Sequence, residues 1–414
     1  MTPPDVEGDT AIIVAFSGGG TRAAAFAHGV MLGLDRLPAG NGGTYFDKVI
    51  GYSGVSGGSV AAAYYGLKGR NALRSFRELF LLKNAEEALA TDFNLINLGR
   101  GFQGGVNDAS RLSRWLDQNL FEGAPLSMMF RPGKPVVWIN ASDLRNGTSF
   151  LFDPMTFAAL CSDIERFPLS LAVAASSAVP VAFVPIVLAN YPDSCRTSLP
   201  LWVDRVLADP SAGGQAKAAA LAFKRYRDPS DTRFVKLVDG GLTDNFGLTG
   251  LVVARSAEKA GYAPLSPQSM MHLRRVLFIV VNSARGSNSE FGRTVEGPSG
   301  RALLQALSDT AIDSSVHSGY DAFRLTVREW ESAARNWRCD QFRGRRPSGL
   351  ACDDLTFSIV PISFDQIPDK AAALYAVPTR FSLPAEQVDL VIGAGVTAVV
   401  SNPEIQEALS RQRR

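Results

Sequence analysis

The segment Gly54, Val55, Ser56, Gly57, Gly58 follows an apolar run over 46–52 and opens directly into the small, helix-compatible stretch 59–65. A serine with glycines two residues before and two after it, between strand and helix, leaves the backbone few options. The chain must reverse sharply at the serine, and a Cβ at either flank would collide with the returning helix. This arrangement predicts a βα unit with the serine hydroxyl exposed at the strand end. The partial positive charge of the helix start lies close by and favours an alkoxide. A glycine-rich turn that serves packing alone would use the same residues, so the chemical reading needs further support.

Two other segments supply it. The run 11–16 is apolar throughout and breaks into Ser17, Gly18, Gly19, Gly20, Thr21, Arg22 before an alanine-rich helical stretch. Three glycines leave their N–H groups unobstructed at a helix start, where an oxyanion or phosphate can sit, and Arg22 adds a fixed positive charge. Neither the Gly-Lys-Ser/Thr ending of a phosphate loop nor a dinucleotide GxGxxG follows. The second segment, 235–247, is a short apolar strand ending in Asp239, Gly240, Gly241. A carboxylate at a strand's C-terminal end lies at the ligand-binding edge of a parallel α/β sheet, which would let Asp239 meet Ser56.

The order GGGTR, GVSGG, DGG resembles the patatin-like phospholipases, and the stretch 175–185 is similar to that family's helix-to-loop element before the acidic motif. The resemblance spans about 11–247. It implies a three-layer α/β/α fold with a mostly parallel central sheet, Ser56 as nucleophile and Asp239 as its base, and an oxyanion hole at Gly18, Gly19, Gly20 and Arg22. Gly247 stands where many members carry proline, a departure that touches loop rigidity and not chemistry.

The order Ser56, Asp239, then His272 or His317 would also fit a triad. His272, however, precedes the strand 276–281 and so falls at the opposite sheet edge from Ser56. His317 lies within a helical pattern, and His28 sits along the first helix away from the glycine loop. With three histidines in all, a dyad is the economical reading. Asp239 would take the Ser56 proton as the hydroxyl attacks an ester, giving an acyl-enzyme that water hydrolyses. An exposed carboxyl near pKa ~3.9 is a feeble base, so the site must exclude water. The expected activity is hydrolysis of lipid carboxylic esters, phospholipase A-like or lipase-like. The alternatives are a carboxylesterase or thioesterase for small acyl substrates, and a non-catalytic lipid-binding protein.

The 414 residues, 46% hydrophobic and 20% charged, suit a globular enzyme with a substantial core. We expect a catalytic domain over 8–290 and a C-terminal extension over 291–414 packed on it. A net charge of +2 and the lack of a basic stripe with interleaved aromatics argue against nucleic acid. The arginines at 335, 338, 343, 345 and 346 read as a solvated run, with contact to anionic head groups as the other reading. No cofactor motif or metal-ligand spacing is present, and no run approaches the ~18 apolar residues of a membrane span. The partner expected is a lipid or phospholipid, with peripheral contact to a membrane surface.

Asn146 and Gly147 predict a hairpin turn between strands at 135–141 and 148–152, an antiparallel addition to the sheet. Residues 112, 115, 116 and 120 share one helical face and read as core. Glycine-rich stretches at 98–107 and 285–301 are the lid candidates. Cys161, Cys195, Cys339 and Cys352 lack a CxxC. If bridged, they place the protein in an oxidising compartment, the envelope or exterior; if reduced, in the cytoplasm. The polar, proline-bearing start shows no export signal and is also what a leader's removal leaves.

Overall fold

The structure, a computed structural model, describes residues 6–40, 42–86, 105–107, 109–284, 295, 297, 299–343 and 350–410. Strands β1 (Thr10–Phe16), β2 (Val49–Val55), β4 (Val136–Asp143), β9 (Arg275–Val281) and β10 (Thr356–Ile362) form its parallel part. Strands β8 (Phe234–Asp239) and β7 (Ile186–Ala189) close one side, and β5 (Thr148–Leu151) pairs with β4, so the sheet order is β10-β9-β1-β2-β4-β8-β7. β1 and β9 are buried at every residue. Their unbroken apolar runs match strands covered by helices on both faces. A separate short pair joins β3 (Gly105–Asn107) to β6 (Val181–Phe183).

Helices α1 (Gly20–Arg36) and α2 (Gly57–Lys68) cover one face, where Gly66 admits the Val137 side chain and Tyr65 rests against Tyr52. The other face lies under α5 (Thr249–Ala257), whose Gly250 leaves room for Trp138, and under α6 (Gly300–Phe342). α3 (Leu169–Ser176) and α4 (Gly214–Tyr226) pack at the antiparallel side. The C-terminal segment is built into the same body. β10 extends the sheet beside β9, and α7 (Ala385–Val400) crosses α1 closely because Gly29, Gly33 and Gly395 stand at the crossing.

The expected α/β/α architecture is present, as is the hairpin of β4 and β5, with Gly147 at φ 59° in its turn. The sheet is less parallel than expected at one point that matters. β8 runs antiparallel to β4, so the parallel-edge rule does not explain the position of Asp239. Instead β8 descends from beyond the edge and stops with Asp239 opposite Ala141, one residue from the Asn140 that pairs Val55. Asp239 thereby reaches the same level as Ser56 from the opposite direction.

The core face over Leu112, Leu116 and Leu120 is buried as expected, with Trp115 packed against it. The supposed solvated arginine run is mixed: Arg338 is fully buried against the Leu273 carbonyl and Asp354, and Arg335 binds Glu331 and the Leu355 carbonyl. Arg345 and Arg346 lie outside the described residues, as do most of the two lid candidates. Cys161 pairs with Cys195 and Cys339 with Cys352. No single helix among the described residues is long and apolar enough to cross a membrane. The bent pair Ala385–Val400 and Pro403–Leu409 passes by composition, and its first member is packed on α1.

Candidate active site

Ser56 adopts φ 53° and ψ −125°, one of three non-glycine residues with positive φ among the described residues. This strain is held in place from several sides. The Ser56 N–H donates to Ser176 Oγ at 2.9 Å, and that hydroxyl donates to the Asn140 carbonyl at 2.6 Å. The Ser56 carbonyl accepts from Ser59 Oγ at 2.6 Å. The flanking glycines are required sterically. A Cβ on Gly54 would stand 2.6 Å from Ser59 Cα, one on Gly58 would stand 2.5 Å from the Phe16 carbonyl oxygen, and one on Gly57 would overlap the Gly20 carbonyl.

Asp239 is buried, and the Ser56 side chain lies near enough to favour its charged form. Its Oδ1 also accepts the Gly241 N–H at 2.9 Å. Burial pushes its pKa up to about 6 from 3.8, while the Gly241 N–H and the nearby Ser56 side chain pull the other way. The carboxyl is thus a far stronger base than an exposed aspartate, yet still mostly ionised at neutral pH. Its backbone is anchored as well, with the N–H on the Ala178 carbonyl at 2.9 Å and the C=O on Ser142 Oγ at 2.8 Å.

The glycine loop lies directly beside the serine: a Cβ on Gly18 would be 3.3 Å from Ser56 Cβ. The Gly18 N–H is taken up by Asn245, through Oδ1 at 3.1 Å and the carbonyl at 3.3 Å. The Gly18 carbonyl accepts Ser283 Oγ at 3.0 Å. Because a trans peptide holds C=O and N–H in opposite directions, that bond turns the Gly19 N–H away from Ser283. Gly19, at φ 140°, and Gly20, at φ 61°, donate to no acceptor among the described residues. The Thr21 N–H is capped by the Arg380 carbonyl at 2.7 Å. Arg22 is buried, with Nε on the Ser283 carbonyl at 3.0 Å and Nη1 on the Val377 carbonyl at 2.7 Å. Its guanidinium therefore ties the loop to the segment after β9 and to the C-terminal part of the chain.

The histidines lie elsewhere. His272 Nε2 meets the Val6 carbonyl at 2.9 Å, at the strands' N-terminal edge. His28 is buried against Tyr65 with its pKa depressed by burial to about 4. His317 is exposed on α6. Among the described residues no cluster of His, Cys, Asp or Glu could hold a metal.

Sequence reading left three contributors without a role: Asn245, Ser176 and Ser283. Asn245 falls inside the acidic motif and Ser176 inside the stretch 175–185, so both were visible as residues. Their use as backbone clamps depends on strands that meet only in three dimensions.

A strained serine elbow, a buried aspartate and a glycine loop at a helix start thus come together at one end of the sheet in an α/β/α fold. The patatin-like phospholipase family profile matches residues 14–252, more than half of the chain, and the protein belongs to that family. No curated protein matches the sequence. Among solved structures, human GIVD cytosolic phospholipase A2 is similar at 13% identity with a TM-score of 0.45, covering 97% of this chain and 63% of that one. The same human enzyme in complex with methyl gamma-linolenyl fluorophosphonate is similar at 15% identity and a TM-score of 0.42, covering 97% and 59%. The chain thus spans under two thirds of those proteins.

Proposed function

We propose that this protein hydrolyses lipid carboxylic esters through a Ser56–Asp239 dyad. The observation that carries the reading is a strained elbow serine placed beside a buried carboxyl whose charged form its side chain favours, with no histidine beside them among the described residues. Asp239 accepts the hydroxyl proton as Ser56 Oγ bonds to the ester carbonyl carbon. The oxyanion that forms is met by the free N–H groups of Gly19 and Gly20 and by the starts of α1 and α2. Collapse breaks the ester C–O bond, and Asp239 returns the proton to the leaving alcohol. Water then attacks the acyl-enzyme, gives its proton to Asp239, and Ser56 is restored as the carboxylic acid leaves. Arg22 acts by holding the loop.

The substrate is read as a lipid assembled at a surface. Ser315 of α6 bonds the Gly241 carbonyl at 2.9 Å, and the part of the helix preceding it carries exposed Leu303, Leu304 and Leu307. The two cysteine pairs favour an oxidising compartment, the envelope or exterior. The test is a panel of phospholipids, triglycerides and short nitrophenyl esters combined with fluorophosphonate labelling. Wild type is expected to hydrolyse the lipid esters and to be labelled at Ser56, and Ser56→Ala to do neither. Folded wild type without an adduct at Ser56 overturns the reading.

A further inference from the structure

Asn245 follows Asp239 by six residues in the same motif, and one end of its side chain is committed to the glycine loop. Its Oδ1 takes the Gly18 N–H at 3.1 Å. An N–H needs an acceptor, so this bond fixes which end of the carboxamide is oxygen. That oxygen sits where a Cβ on Gly18 would come within 2.7 Å and one on Gly241 within 2.9 Å. Gly18 in turn lies beside Ser56 Cβ, and the Gly241 N–H is the donor to Asp239 Oδ1. The carboxamide is thus wedged between the glycine loop and the base. Its main chain is held too, with the N–H on Ser315 Oγ at 3.4 Å and the carbonyl on the Gly18 N–H at 3.3 Å.

The nitrogen end has no such use. Nδ2 donates to no acceptor among the described residues, although Asn245 is only 4% exposed. Buried donors are nearly always bonded. Some unpartnered nitrogens, such as Trp202 Nε1 and Trp330 Nε1, are sealed inside the fold, whereas Asn245 Nδ2 is not enclosed in this way and borders open space. Ser56 and Asp239 are likewise 4% exposed. Three neighbours that are otherwise buried share one opening, the one through which a substrate reaches the Ser56 hydroxyl.

We infer that Asn245 is a further catalytic residue, whose Nδ2 donates to the oxyanion that forms when Ser56 attacks an ester, beside the N–H groups of Gly19 and Gly20. The inference rests on the proposed hydrolysis at Ser56. Negative charge gathers on the ester carbonyl oxygen only as the bond to serine forms. A donor already in place, with no partner in the resting site, therefore binds the transition state more strongly than the substrate and needs no reorganisation at that moment. The bonds at Oδ1 and along the main chain supply the rigidity this role requires, so the same residue sets the loop with one end and meets the reacting oxygen with the other.

The test is fluorophosphonate treatment of protein carrying isotopically labelled asparagine nitrogen, followed by NMR of the side-chain NH2 groups, with Asn245→Asp assigning the Asn245 pair. The adduct places a P–O oxygen where the oxyanion forms. One proton of the Asn245 pair is expected to move downfield when wild type reacts at Ser56, and to stay in place in Ser56→Ala treated alike. Asn245→Asp also keeps an oxygen for the Gly18 N–H while losing the donor, so its kcat on a nitrophenyl ester should fall about a hundred- to a thousandfold with KM unchanged. If the side chain only clamped the loop, Asn245→Asp would keep wild-type kcat. Should Asn245→Asp not fold, Asn245→Ser assigns the pair and carries the kinetic test. Folded wild type without an adduct removes the hydrolytic reading and this inference with it. An adduct at Ser56 that leaves the Asn245 pair unmoved, or wild-type kcat in the folded variant, overturns this inference alone.

Discussion

The raised pKa of Asp239 ties activity and stability to pH in opposite directions, and Asp239→Asn exposes both. Burial lifts the carboxyl from 3.8 to about 6, which corresponds to about 3 kcal/mol of penalty on the ionised form. A base must be unprotonated to take the serine proton, so kcat/KM should rise with pH along a single-proton limb centred near 6. At pH 5 only about a tenth of the plateau rate should remain. A carboxyl with an ordinary value would retain more than about nine-tenths there.

For stability the sign reverses. The folded state binds the proton more tightly than the unfolded chain does, so the contribution of this group to folding is fully present below 3.8 and is lost as pH rises through about 6. The asparagine introduced by Asp239→Asn cannot ionise, and its amide oxygen can still accept the Gly241 N–H. Asp239→Asn should therefore be more stable than wild type at pH 8 by up to about 3 kcal/mol, roughly 3 °C in Tm for a chain of this size, with the gain shrinking towards pH 4. The assays are a pH series of ester hydrolysis and thermal melts of both proteins at pH 4 and pH 8. A rate that stays flat from pH 5 to pH 8, or a variant less stable than wild type at pH 8, refutes the reasoning.

Ser56→Gly should abolish hydrolysis and yet stabilise the fold by about 1 kcal/mol, because glycine tolerates the positive φ that strains serine; denaturant unfolding at fixed pH measures it. Gly19→Ala places a Cβ 3.1 Å from Ser283 Oγ and 3.2 Å from Arg22 Nη2 at φ 140°. Distortion of that N–H should cost about a hundred- to a thousandfold in kcat, read from steady-state kinetics on a nitrophenyl ester. His272→Ala and His317→Ala should keep wild-type kcat/KM, and loss of activity in either folded variant would restore a triad.

What the chain disclosed in one dimension follows from how local each requirement is. The elbow is legible because its pattern falls within five consecutive residues: Gly54 is demanded by the helix that returns over Ser56, while Gly58 makes room for the Phe16 and Ser17 carbonyls at the end of β1, a contact the local pattern does not name. The glycine loop and the hairpin at Gly147 are legible for the same reason. Asp239 stands out by residue type and position in its motif, but the parallel-edge rule does not explain its place, because its strand runs antiparallel to β4. Antiparallel pairing of β8 to β4 follows from the path of 181–239, which no local pattern encodes. Arg22 shows the limit from the other side. Its charge beside three glycines suggested an anion contact, whereas the structure gives it the carbonyls of Ser283 and Val377, partners 261 and 355 residues away. The raised pKa of Asp239 is equally invisible in the sequence, since it depends on what buries the carboxyl. A serine–aspartate pair can be recognised from motifs, but whether the aspartate can serve as a base is decided by the desolvation that the assembled sheet, loops and α6 impose together.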